Sequence, residues 1–121
     1  MRMWKIPPDL LCRQHLLGEH RELHALAVSV ARASEGDHKH KAMLTGHVHK
    51  QQVELTQLVD RHHQVVTEMF TRGYHHHSPL GSVVIDPEIA LLNTYHPVDV
   101  ASSFVDLRSR CEQCASRMTG T

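Results

Sequence analysis

Apolar residues recur at helical spacing in three stretches of the chain. Pro7-Pro8 and Asp9 read as a stop and an N-cap; Cys12, Leu16, Leu23, Leu26, Ala27 and Val30 then fall on one stripe as far as Glu35-Gly36-Asp37. This predicts a first helix over about residues 9–34. Leu55, Leu58, Val59, Val65, Val66, Met69 and Phe70 follow the same period up to Arg72-Gly73, a basic last turn with a glycine C-cap, and predict a second helix over roughly 48–72. From Pro97 onward, Ala101, Phe104, Val105, Arg108, Cys111, Ala115 and Met118 predict a third helix, with proline at its first turn. Residues 74–96, with Ser78-Pro79, Gly81 and Asp86-Pro87, read as an irregular connector holding at most a short helix near Glu88–Leu92. No stretch alternates with a period of two for long. The expected class is all-α: three main helices with a long irregular connector before the last.

Length and composition narrow this further. A chain of 121 residues can bury one core but not two, so residues 1–121 are expected to form a single helical domain. A hydrophobic content of 40% excludes a disordered tail. Lys plus Arg and Asp plus Glu both count 13, and a formal charge of zero argues against gripping nucleic acid by bulk charge. That balance is uneven along the chain: residues 1–50 carry eight bases against five acids, and residues 51–121 the reverse. Three cysteines make no disulfide framework and point to a reducing compartment. The start lacks a signal-type apolar region, and no run approaches the ~18 apolar residues of a membrane span. A cytoplasmic, nucleoid-associated monomer with no membrane partner is expected. Arg2 is too large to permit removal of the initiator methionine, so Met1 is expected to carry the free α-amine.

Chemistry concentrates in the first helix. At about 100° per residue, Gln14, His15, Gly18, Arg21 and Glu22 form a polar band beside the apolar stripe, joining an acid, a base and a cation. Gly18 costs about 1 kcal/mol relative to alanine inside a helix, which suggests close approach by another backbone or a ligand. An ordinary solvated face with an incidental glycine is the competing reading.

Gln14-His15-Leu16-x-x-Glu19-x-Arg21-Glu22-Leu23 resembles the first-helix motif of the pyrimidine-dimer DNA glycosylases, the phage endonuclease V family. Gly46-His47-Val48 is similar to the segment before that family's second long helix, and Thr71-Arg72-Gly73-Tyr74 to the end of that helix. Tyr74-His75-His76-His77-Ser78-Pro79-Leu80 resembles a motif of its cellular members, so the likeness covers about residues 1–80.

The resemblance implies a DNA glycosylase with an associated abasic-site lyase activity and no cofactor. In this chemistry an N-terminal α-amine attacks the sugar C1′ as the base leaves, and the resulting imine undergoes β-elimination. An unperturbed α-amine titrates near ~7.7–8, against ~10.4 for lysine, so a useful fraction is nucleophilic at neutral pH. By resemblance Met1 supplies the amine and Glu22 the carboxylate that stabilises cationic sugar character and moves protons. Arg2 and Arg21 match arginines that hold phosphates by bidentate contact, and Gln14 and His15 match DNA-contacting neighbours. The partner implied is duplex DNA with the target base flipped out. Ala25 stands where phage members have a further arginine, and their aromatic, lysine-containing tail is missing, so the substrate is taken broadly as a damaged or modified base. Base stacking has few candidates: Trp4, Phe70, Tyr74, Tyr95 and Phe104, of which Phe70 and Phe104 read as core.

Two other groups bear on function. Cys111-Glu112-Gln113-Cys114 has metal-ligand spacing, but zinc needs four ligands, there is no second C-x-x-C, and Cys111 is in register with Ala101, Phe104, Ala115 and Met118, so a Cys111 thiol on the core face fits better and no metal is assigned. The chain holds 13 histidines, many in His47-Val48-His49, His62-His63 and His75-His76-His77; these read as surface groups, nucleic-acid contacts or metal ligands. By resemblance His47, His75, His76 and His77 lie near the active face and contact DNA. Asp37-His38-Lys39-His40-Lys41 reads as a polar loop between helices. The alternative to a glycosylase is a non-catalytic, His-rich nucleic-acid-binding or metal-binding protein that keeps the fold.

Overall fold

In the computed structural model, which describes residues 1–75, 78–81 and 83–119, the regular elements are helices, with no strand among those residues. The helices are α1 (Arg13–Ser34), α2 (His38–His49), α3 (Leu58–Thr71), α4 (Pro87–Tyr95), α5 (Val100–Arg110) and α6 (Glu112–Thr119), with 3-10 turns at Pro8–Leu10 and Leu55–Gln57. The all-α expectation holds, but three helices become six. No helix of the described residues is long and apolar enough to cross a membrane.

α1 is the central element. Its stripe of Leu16, Leu23, Leu26, Val30 and Ala33 is buried against α2 and α3, each leucine contributing roughly 1.5–3 kcal/mol by leaving water. It starts later than the expected residue 9 because the carbonyls of the preceding turn are taken from outside the helix. Arg72 donates to Pro8 O at 3.2 Å and Leu11 O at 2.6 Å, and Arg117 donates to Asp9 O at 2.8 Å. α1 ends at Gly36, whose φ of 97° closes a Schellman turn in which Asp37 N–H reaches Arg32 O at 3.0 Å.

Asp37 then caps α2, its carboxylate accepting from the N–H groups of Lys39 and His40. The segment expected as a polar loop is therefore a helix start. Only Leu44 and Val48 of α2 are buried, so its apolar periodicity is too sparse to mark the helix in sequence. The expected continuous helix over 48–72 is broken at Gln51, which has a φ of 56°. The break is held by distant groups: Met3 N–H donates to Gln52 O at 2.8 Å, while the Asn93 side-chain amide donates to Val53 O and accepts from Leu55 N–H. α3 ends as expected at Arg72-Gly73, where Tyr74 N–H returns to Met69 O at 2.8 Å.

α4 matches the short helix expected near Glu88–Leu92 and shortens the irregular connector. The expected last helix is two. Asp99 caps α5, the backbone turns extended at Cys111, and the Cys111 sulfur accepts from Cys114 N–H at 3.4 Å to cap α6. Neither glycine nor proline marks this break.

The N-terminal segment also enters the core. Met3 and Ile6 are fully buried, and Trp4 nearly so. Among its anchors is a buried ion pair: Arg61 of α3 forks onto Glu19 of α1 at 2.5 and 2.9 Å and donates to Ile6 O at 2.8 Å, while Glu19 also accepts from Trp4 N–H at 3.3 Å. Phe70, expected in the core, is instead 53% exposed, because it lies off the α3 face that buries Leu58, Arg61, His62, Val65 and Met69.

Candidate active site

Anchoring of the first six residues brings the chain start onto the polar face of α1. The Met1 side chain packs against the core, and its amine nitrogen stands 3.9 Å from Glu22 Oε2. Glu22 is 42% exposed, so the amine and carboxylate meet at an open surface and not in a sealed interior. The adjacent cleft, about 250 Å³, is lined by Arg2, Gln14, His15, Gly18, Arg21 and Glu22, with Trp4 and Glu19 behind them. Thus five residues of the polar band expected from sequence do line one cleft. Around Gly18, a Cβ would meet no atom within 4 Å. Of the two approaches the sequence suggested, by another backbone or by a ligand, the first is not met among the described residues.

The two arginines differ. Arg21 is exposed and makes no ion pair among the described residues. Arg2 is committed: its guanidinium bonds Asp106 of α5 at 2.8 Å and lies 4.2 Å from the centre of the Trp4 ring. Arg2 also borders a larger cleft of about 620 Å³ shared with Gln51, Gln52, Ser102 and Asp106. Trp4, a stacking candidate by sequence, is buried, with Arg110 at 5.3 Å and the His15 ring edge-on at 5.9 Å. Of the stacking candidates named from sequence, Phe70 and Tyr95 are the exposed ones.

The histidines do not group as their order in sequence suggests. His47, in the last turn of α2, is not among the cleft residues and approaches Gln52 Oε1 at 3.4 Å. His75 is exposed beyond Tyr74, and His76 and His77 lie outside the described residues. His62 of α3 instead joins His20 and His24 of α1, with ring centres 4.7–5.4 Å apart.

His15 points its Nδ1 at sulfur. The distances are 3.2 Å to Cys12 Sγ and 3.5 Å to Cys114 Sγ, and Cys12 Sγ lies 3.8 Å from Cys111 Sγ. Burial, aided by the Arg110 charge, lowers the His15 pKa below its ordinary 6.5, so the ring is neutral at pH 7 and offers a lone pair. Burial pushes the Cys114 thiol up to about 12. Burial is also the largest influence on the Cys111 thiol and acts to raise it, but hydrogen bonds from the Cys114 N–H, the Cys114 and Cys12 thiols and the Gln113 N–H together outweigh it and the net shift is downward. Cys111, expected on the core face, is only partly buried against the core, and Cys114 is the fully buried thiol. Cys12 and His15, which complete this group of four, were missed from sequence, although Cys12-Arg13-Gln14-His15 has the same two-residue gap as Cys111 to Cys114.

The family model for pyrimidine dimer DNA glycosylase matches residues 1–81. That segment carries α1, α2, α3 and every residue lining the Glu22 cleft, so the fold and cleft together define a DNA base-excision enzyme. The chain belongs to the pyrimidine dimer DNA glycosylase family, and DNA is its partner. No curated protein and no solved structure matches it.

Proposed function

We propose that the protein removes a damaged or modified base from duplex DNA, with pyrimidine dimers the default of its family, and then cleaves the abasic strand as a lyase through an imine on the Met1 α-amine. The observation that carries this reading is the 3.9 Å separation between that amine and Glu22 at the mouth of an open cleft. In the first step the amine nitrogen bonds to C1′, and the base departs with the glycosidic electron pair. Loss of a nitrogen-bound proton and opening of the sugar at O4′ leave an imine between nitrogen and C1′. Removal of a C2′ proton then expels the 3′ phosphate, and water releases the amine. Glu22 is near enough to accept and return these protons and to stabilise positive charge on the sugar.

Attack at C1′ requires an extruded base and a bent duplex, since stacking otherwise shields that carbon. Arg21, exposed at the cleft edge, is the phosphate contact we assign first. Arg2 joins it by exchanging Asp106 for a phosphate oxygen, and Gln14 contacts the strand from the cleft wall. Exposed His75 is a further backbone contact. Residues 1–121 act as one unit in this reading, because Arg2 to Asp106, Cys12 to Cys114 and Arg117 to Asp9 tie α5 and α6 to the N-terminal part.

Borohydride trapping on an abasic duplex tests the mechanism. The expected result is a covalent adduct that mass spectrometry maps to Met1, with Glu22→Gln slowing strand cleavage by about 10²-fold or more. An adduct mapped to a lysine, or one that survives acetylation of the α-amine, overturns it. DNA binding without trapping or incision would favour the non-catalytic, His-rich alternative.

A further inference from the structure

We propose that Cys12, His15, Cys111 and Cys114 form a structural zinc site with three thiolate ligands and one imidazole ligand. Their donor atoms all lie within 4.8 Å of one another. Tetrahedral zinc, with bonds of about 2.3 Å to sulfur and 2.0–2.1 Å to nitrogen, places two sulfurs about 3.8 Å apart and a sulfur about 3.5 Å from a nitrogen. The observed separations are 3.8 Å for Cys12 to Cys111 and 3.5 Å for Cys114 to His15 Nδ1, with 3.2 Å for Cys12 to His15 Nδ1. A disulfide would bring two sulfurs to about 2.05 Å, and all three cysteines are free. The spread suits one ion and leaves no room for a multi-iron cluster.

The surroundings suit thiolates. Cys12 N–H donates to Cys114 Sγ at 3.2 Å, and Cys114 N–H donates to Cys111 Sγ at 3.4 Å. Such bonds orient the sulfurs and spread their negative charge. On binding, three thiol protons pass to solvent, so Zn²⁺ with three thiolates and neutral imidazole carries a net charge of about −1. Arg110, adjacent to Cys111 and 5.3 Å from the Trp4 ring that meets His15, offsets that charge. Soft sulfur with imidazole in a closed set of four selects zinc over hard cations and leaves no position for substrate. The ion would clasp the start of α1 to the α5–α6 corner, joining the family-matched part of the chain to helices that lie beyond it. His15 then acts as a ligand and not as a DNA contact.

The test uses the full chain without a polyhistidine tag, purified under reducing conditions and independently of any DNA assay. Elemental analysis should find about one zinc per chain, falling at least ~10-fold in Cys111→Ser and Cys114→Ser and staying unchanged in His20→Gln/His62→Gln. Because the serine variants can fail to fold, the wild-type chain is also stripped by chelation and reloaded with Co²⁺. Sulfur-to-cobalt charge-transfer absorption with tetrahedral d–d bands is expected, together with a lower melting temperature after stripping that zinc restores. Zinc-free protein that shows neither the cobalt bands nor a zinc-dependent melting temperature overturns the proposal. So does retention of metal by the serine variants with loss in the histidine variant, or iron in the purified chain.

Discussion

Replacing Arg61 by methionine isolates the share of the buried ion pair in holding the N-terminal segment in place. Methionine keeps most of the volume and the apolar stem but removes the guanidinium. Glu19, whose side chain is fully buried, then loses both charge-assisted bonds and keeps only the 3.3 Å contact from Trp4 N–H, while Ile6 O loses its 2.8 Å donor. Breaking a buried pair from one side costs about 3–5 kcal/mol, and the orphaned carbonyl falls within the same penalty or adds to it. Taking about 4 kcal/mol, against a total stability of roughly 5–15 kcal/mol, the variant keeps only a small margin. At this chain length the loss corresponds to a melting temperature lower by roughly 12–20 °C. Urea unfolding followed by circular dichroism measures it, with Glu19→Leu and the double variant Glu19→Leu/Arg61→Met closing a cycle. The double variant should be no worse than either single, so the coupling should be at least as large as the costlier single loss, about 4 kcal/mol. A single-variant cost below about 1 kcal/mol, or losses that simply add, would refute the reasoning, since that is how an exposed pair behaves.

Gly18→Ala separates helix propensity from occupancy of the cleft: with no atom within 4 Å of the new Cβ, stability should rise by up to about 1 kcal/mol while strand cleavage falls, and a variant with full activity would show that nothing approaches Gly18. Asp37 and Asp99 give a pH dependence. Their pKa values lie below the ordinary 3.8, Asp37 chiefly through the His40 N–H and Asp99 chiefly through the Ser102 N–H. The stability they confer is therefore present above about pH 4 and is lost as the pH falls through 3.8 towards the lowered folded values. In thermal melts from pH 5 to pH 2.5, Asp37→Asn should keep the cap and lose less on acidification than the wild type, and an identical acid loss in both would exclude the Asp37 cap as a source.

Much of the candidate site was legible because it is local. Gln14, Gly18, Arg21 and Glu22 share a face by helical geometry alone, and the family motif lies within that one helix. Arg72-Gly73 announced a helix end for the same reason: a positive φ at the C′ position favours glycine whatever the rest of the chain does. The hidden parts are those whose signal was weak or remote. α2 buries just two residues, so its period is faint, and the break at Cys111 involves no glycine or proline. Phe70 fits the apolar pattern of α3 yet is exposed, since periodicity marks a stripe and not its edge.

Sequence by itself determined the helical class, the family and the polar face carrying Glu22, because helix period, caps and an intact motif are properties of neighbours along the chain. Tertiary structure decided which distant groups meet: Glu19 with Arg61, 42 residues on, Arg2 with Asp106, 104 residues on, and the Cys12 and Cys111 sulfurs, 99 residues apart. Spacing cannot name such partners. A carboxylate on a helix face is compatible with any cation in the chain, and a C-x-x-H or C-x-x-C pair with any other pair. Only packing of the apolar faces selects which of them share an interior where charge must be matched and donors must be satisfied.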